Sequence, residues 1–154
     1  NVDVRNVHGY IVGEHGDTQL PLWSATHIAG MNVEEYGKTH GNTFSDQDKE
    51  LISNDVKQAG AVIINNKGAT YYAIAVAVNT LVETLIKNQN TIRTVSSVIE
   101  GYYGINDVAI SLPSLINSNG VEKIIEYPIT KEEEKKLKAS ADTLKSILDE
   151  VKDI

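Results

Sequence analysis

The spacing of apolar positions changes several times along the chain, and each change marks an element. Val7 to Gly13 alternates small or apolar residues with His8, Tyr10 and Val12, which predicts a strand. Pro21 breaks that pattern, and Ser24 to Met31 reads as a returning strand, so residues 13–18 form the connection at one end of a sheet. Gly37, Gly41 and Asn42 mark a loop. Ser45 then has the chemistry of a helix N-cap, with Asp46 and Asp48 in the first turn, where the helix dipole favours acids. Ile52, Val56, Ala59 and Ile63 fall on one helical face, and Gly68 is a natural stop. Tyr71, Ile74, Val78, Leu81 and Leu85 repeat that spacing, which predicts a second helix over about 70–87. Thr70 lies where the two helices meet, placed either to cap the second or to point its hydroxyl into a cleft.

The period then shortens. Thr91 to Glu100 is rich in β-branched residues, the Gly101-Tyr102-Tyr103-Gly104 loop interrupts it, and Val108, Ile110 and Leu112 continue as the next strand. Asn119-Gly120 is a turn before a third strand over Val121 to Tyr127, which Pro128 ends. Thr130-Lys131-Glu132-Glu133 matches a capping box, and Leu137, Ala141, Leu144, Leu148 and Val151 form the stripe of a last helix. Antiparallel strands with long helices packed against them imply an α+β class. No G-x-G-x-x-G follows a strand, so no Rossmann half is expected here.

Length and charge narrow the function. A chain of 154 residues is one domain with enough core to stand alone. A net charge of −7 repels phosphate backbones and anionic lipid, which argues against nucleic acid as a partner. The longest strongly apolar stretch, Tyr71 to Val78, is far short of the ~20 residues of a membrane span. The absence of cysteine suits a reducing cytoplasm. The chain opens on Asn1 in mid-pattern, as a piece of a longer polypeptide would.

His15 is the main chemical candidate. It sits in Val12-Gly13-Glu14-His15-Gly16-Asp17-Thr18, flanked by glycines that turn the backbone tightly and leave the imidazole little cover. Imidazole is the side chain best able to give and take a proton near neutral pH. No metal site is expected, because His15 and Asp17 have no convincing third ligand at suitable spacing. Asp17, on the same loop, is badly placed to orient the ring. His8 lies on the same predicted strand, up to ~23 Å away, and is either a surface strand histidine or part of a second site. His27 and His40 read as structural.

Val7-His8-Gly9-Tyr10-Ile11-Val12-Gly13-Glu14-His15-Gly16-Asp17-Thr18, followed by Leu20-Pro21-Leu22-Trp23-Ser24, closely resembles the catalytic-histidine segment of bacterial L-lactate dehydrogenases. Lys67-Gly68-Ala69-Thr70-Tyr71-Tyr72-Ala73-Ile74 resembles the family's substrate-pocket helix. The likeness runs over all of residues 1–154 and corresponds to the family's C-terminal half, the substrate and catalytic domain. It implies that His15 exchanges the proton as pyruvate and L-lactate interconvert with NAD as cofactor. It implies further that Thr70 and Gly60 line the substrate pocket, with Tyr72 and Ile74 near the nicotinamide. After Gly60 this chain has Ala61 and Val62 where the family usually has Tyr and Glu, which alters the pocket wall.

By the same resemblance His8 matches a position that helps bind fructose 1,6-bisphosphate in allosteric members, and the intact enzyme is a cytoplasmic homo-oligomer, a tetramer. The family's orienting aspartate, its carboxylate-binding arginine, its mobile-loop arginine and its NAD-binding domain correspond to none of residues 1–154. The chain alone is therefore expected to be inactive, with apolar faces left exposed. Two alternatives remain open: a malate or branched 2-hydroxyacid dehydrogenase domain, and a non-catalytic oligomerisation module of the same fold.

Overall fold

A computed structural model describes residues 2–152. Its centre is an antiparallel sheet of β6 (Thr91–Glu100), β7 (Asn106–Asn117) and β8 (Gly120–Ile124), with β7 in the middle. The three strands stand where the β-branched runs predict, but β7 is longer than expected and carries Pro113 inside it, and β8 stops at Ile124, short of the expected Tyr127. Pro113 is tolerated because it stands opposite the end of β8, where Ile125 N–H still donates to its carbonyl at 2.8 Å. Ile99, Val108, Ile110, Leu112 and Ile124 from this sheet meet Val12, Leu20, Leu22, Leu137 and Ala141 in one buried core.

The first half of the chain is more broken than its pattern predicts. The single strand expected over residues 7–13 is two: β1 (Val7–His8) and β2 (Ile11–Val12), each with a different partner. β2 pairs with β3 (Leu20–Pro21), and β1 pairs with β4 (His27–Ile28), which in turn pairs with β5 (Met31–Asn32). The returning strand expected over residues 24–31 is likewise a 3-10 turn at Trp23–Ala25, then β4, a tight turn at Ala29-Gly30 and β5. The second split is made by the Ala29-Gly30 turn, where both residues take positive φ, and the first has its cause in contacts with the returning chain. Leu22 N–H donates to the Tyr10 carbonyl at 2.9 Å, and Thr26 crowds Gly9, so the chain changes partner at Gly9-Tyr10.

Four helices complete the domain. A short α1 (Val33–Thr39) occupies part of what reads as loop, because Asn32 caps it by accepting from Glu35 N–H at 2.8 Å. α2 (Asp46–Lys67) starts at the expected Ser45–Asp48 capping box and stops at Gly68, whose φ is +86°. α3 (Tyr72–Ile86) begins later than predicted, with Tyr71 at the cap position and no side-chain cap, so Thr70 is not its N-cap. α4 (Lys131–Lys152) is tied at its start by the expected Thr130–Glu133 capping box and buries Leu137, Ser140 and Ala141. α2 buries no residue and α3 buries only Thr84, so their apolar faces are uncovered. None of the helices among the described residues is long and apolar enough to cross a membrane.

Glu133 joins the two halves. Its carboxylate accepts from Ser24 N–H at 3.0 Å and from Thr130 N–H at 2.8 Å and the Thr130 hydroxyl at 2.9 Å. Burial works to raise its pKa, but the donors from Ser24 and Thr130 prevail and hold it below the ordinary glutamate range. Glu133→Gln turns an amide N–H₂ towards one of these donors and is expected to cost about 1–3 kcal/mol in denaturant unfolding at neutral pH. A lowered folded pKa contributes stability above the unfolded value, about pH 4.3, and loses it as pH falls through the folded value. The difference between parent and variant therefore narrows on acidification.

Candidate functional site

His15 occupies the bend between β2 and β3, and its side chain is exposed. The bend is closed from below by the sheet. Gly13 N–H donates to the Ser111 carbonyl at 3.0 Å and Ser111 N–H donates back at 3.1 Å, so the loop leaves directly from β7. Gly13 holds φ at +96°, and a Cβ there would lie 2.7 Å from Ser140 Oγ. Only glycine meets both demands.

A ring of hydrogen bonds then fixes the loop from the side. Glu14 N–H donates to Ser140 Oγ at 2.8 Å, Ser140 Oγ and Thr18 Oγ1 are 2.9 Å apart, and Thr18 Oγ1 donates to the Glu14 carboxylate in a short contact. A carboxylate only accepts, so the Thr18 proton points to Glu14 and the Ser140 proton points to Thr18. Thr18 N–H adds a further donor to Glu14 at 3.1 Å. The Glu14 carboxylate consequently folds over Gly16, where a Cβ would meet its oxygen at 2.3 Å. Glu14 therefore shapes the backbone on either side of His15. Among the described residues, no hydrogen bond reaches the His15 ring, and none links Asp17 to it.

Ser140 escapes the sequence motifs because it is 126 residues from Glu14 and is reached only through the fold. Its signal is a polar residue, fully buried, within the apolar stripe of α4 beside Leu137 and Ala141. Lys67 was missed as well. Its ammonium lies 4.6 Å from the Tyr72 ring centroid and 5.3 Å from that of Tyr71, which joins the end of α2 to the start of α3 across Gly68.

The remaining candidates are exposed on separate elements. Thr70 stands in the α2–α3 break, Gly60 lies on α2 with nothing within 4 Å of a would-be Cβ, and Tyr72 and Ile74 begin α3, 77% and 56% exposed. No hydrogen bond among the described residues joins any of them to His15. His8 is on β1 and is therefore on a different strand from the one that runs into His15, opposite His27 of β4. Among the described residues there is no group of three metal-ligating side chains. What the arrangement offers is one solvent-reachable proton donor and acceptor on a braced loop, exposed rather than enclosed in a pocket. Ser140→Ala opens the ring and leaves Glu14 N–H without its buried partner, so a loss of about 1–3 kcal/mol in denaturant unfolding is expected. Gly13→Ala adds a left-handed backbone penalty of about 1–3 kcal/mol to a clash with Ser140, and should be the more damaging of the two in the same measurement.

Comparison with known proteins agrees with this architecture. Residues 1–154 match the model of the lactate/malate dehydrogenase α/β C-terminal domain. L-lactate dehydrogenase 1 of Clostridium acetobutylicum is 49% identical over 150 residues, which is 97% of this chain and 48% of that protein. An L-lactate dehydrogenase of a Thermoanaerobacter species is 45% identical over 98% of this chain and 49% of its own length. Among solved structures, an L-lactate dehydrogenase from Clostridium thermocellum superposes with a TM-score of 0.86 at 62% identity, covering 98% of this chain and 48% of that one. The minor L-lactate dehydrogenase of Enterococcus mundtii, in a ligands-bound form, reaches a TM-score of 0.91 at 37% identity, over 97% of this chain and 48% of its own. This chain thus spans about half the length of the relatives it matches. With the family model matched from end to end and an α+β fold to go with it, the chain belongs to the lactate/malate dehydrogenase family, as the α/β C-terminal domain.

Proposed function

We propose that this chain is the substrate and catalytic half of an NAD-dependent L-lactate dehydrogenase, whose nucleotide-binding half is supplied by a preceding domain. The observation that carries the reading is the braced loop, which fixes the backbone on either side of His15 and leaves its imidazole exposed. His15 gives a proton to the carbonyl oxygen of pyruvate in one direction and takes the hydroxyl proton of L-lactate in the other. Thr70 and Gly60 line the pocket beside it, and the resulting cavity is completed only when a second domain covers α2 and α3. Ala61 and Val62 leave that wall without the usual Tyr and Glu side chains.

The exposed, apolar Tyr72 and Ile74 fit the flat face of a nicotinamide, whereas no glycine-rich strand-turn-helix is present to hold a dinucleotide's phosphates. NAD supplies the hydride chemistry when bound. Residues of this chain would shield one side of the ring, keep water out and move the proton at His15. A cytoplasmic homo-oligomer, tetrameric in the intact enzyme, accounts for the apolar faces left open on α2 and α3, and His8 is assigned to a fructose 1,6-bisphosphate site at a subunit contact.

Four measurements test the proposal in the complete enzyme and in this chain. His15→Asn in the complete enzyme should lower kcat for pyruvate reduction by about 10²–10⁴, and an unchanged kcat would remove His15 from the mechanism. Residues 1–154 alone should not oxidise NADH with pyruvate, and measurable turnover would refute the division between two domains. His8→Ala should abolish any response of pyruvate saturation to fructose 1,6-bisphosphate, and a response that survives would place the effector elsewhere. Pyruvate preferred over oxaloacetate and branched 2-oxo acids would separate lactate dehydrogenase from its malate and branched-acid relatives.

A further inference from the structure

His8 and His27 are directly opposed in the antiparallel β1–β4 pair. Opposed residues project from the same face, with Cβ atoms about 4.5–5.5 Å apart. The neighbouring pair, Val7 with Ile28, takes the other face, where Ile28 is buried. His8 and His27 are consequently side by side on the outer face, one exposed and one half-buried.

The His27 ring is also oriented. Its Nδ1 lies 3.0 Å from the Ala25 carbonyl oxygen, and because a carbonyl only accepts, Nδ1 carries the proton. In the neutral ring the lone pair is then on Nε2, directed away from the backbone. A ring nitrogen that donates to a backbone carbonyl while the other is free is the arrangement that metal-binding histidines use. Neighbouring groups do not compete for this pair. Arg5 is engaged by Asp3 at 2.9 Å, and Asn32, opposite His27 on β5, already spends its Oδ1 on Glu35 N–H.

We propose that His8 and His27 form a two-imidazole chelate for a transition-metal ion such as Zn²⁺ or Ni²⁺, binding on the outer face of the β1–β4 pair and fastening the two strands together. Water fills the other positions, since no third protein ligand stands nearby among the described residues. The purely nitrogen donor set selects Zn²⁺, Ni²⁺ or Cu²⁺ over Mg²⁺ and Ca²⁺, which require oxygen. The site is independent of the reaction proposed for His15. It shares His8 with the proposed effector site but uses the ring differently: the metal takes a neutral imidazole's lone pair, whereas an anion is held by the protonated ring.

The test is calorimetric titration of the metal-stripped protein with Zn²⁺ at slightly alkaline pH, repeated with Mg²⁺. His27→Asn is the informative variant, because its amide can keep the donation to Ala25 while losing the outward nitrogen. His8→Ala alters an exposed side chain, and His40→Ala serves as a control for surface histidines. One Zn²⁺ per chain is expected, with affinity reduced at least tenfold by His8→Ala and by His27→Asn, no further loss in the double variant, no effect of His40→Ala, and no binding of Mg²⁺. Unaltered melting of the metal-free variants verifies their fold. Equal Zn²⁺ affinity in the parent and His27→Asn proteins, or no Zn²⁺ binding by the parent, overturns the proposal whatever the outcome of the pyruvate assay.

Discussion

The cyclic hydrogen-bond network of Glu14, Ser140 and Thr18 is the constraint on which the candidate site depends. It closes a five-residue bend onto a helix more than a hundred residues away, and every donor in it has an acceptor. Such a ring is cooperative, since each hydroxyl both donates and accepts and is polarised in the same sense. It also explains two glycines by close approach, Gly13 to Ser140 and Gly16 to the Glu14 carboxylate. The histidine is exposed, yet the backbone on either side of it is tied by hydrogen bonds to β7 at Gly13 and to α4 at Glu14. The network fixes the backbone that carries His15 and, among the described residues, leaves the imidazole itself without a hydrogen-bond partner.

The rest of the molecule divides into a finished side and an unfinished one. The sheet of β6, β7 and β8, the β2–β3 ribbon and α4 share one core, and Glu133 ties α4 to the turn after Trp23. On the other side α3 is rich in apolar residues but leaves Val76 and Ile86 67% and 78% exposed. A helix of that composition is buried when its partners are present. The same surface carries Thr70, Tyr72 and Ile74. The proposed pocket is therefore located where the chain is least covered, which fits a site shared with a second domain.

Much of this was legible in the sequence, for local reasons. The α2 capping box, the glycine stop at Gly68, the Asn119-Gly120 turn and the Thr130–Glu133 box each act within a few residues, and all four stand where their chemistry places them. The split of β1 from β2 and of β4 from β5 was not legible. The first follows from a change of partner at Gly9-Tyr10, set by contacts with Leu22 and Thr26 rather than by alternation, and the second from the Ala29-Gly30 turn, where a non-glycine residue takes positive φ. α1 was hidden because Gly37 reads as a loop residue while its cap, Asn32, precedes it. His15 stood out through its glycines, but Ser140 could be recognised only as a polar residue in an apolar stripe, and its partner was invisible. The opposition of His8 and His27 likewise emerges from register, which no spacing along one chain encodes.

The most direct test of the braced loop is amide hydrogen exchange at Gly13, Glu14 and Thr18. The account predicts that these three amides exchange as slowly as those of β7, although the loop is at the surface, and that Ser140→Ala releases Glu14 and Thr18 selectively. Exchange at the rate of an open surface loop in the parent protein would contradict it, and His15 would then have to be ordered by something other than this domain.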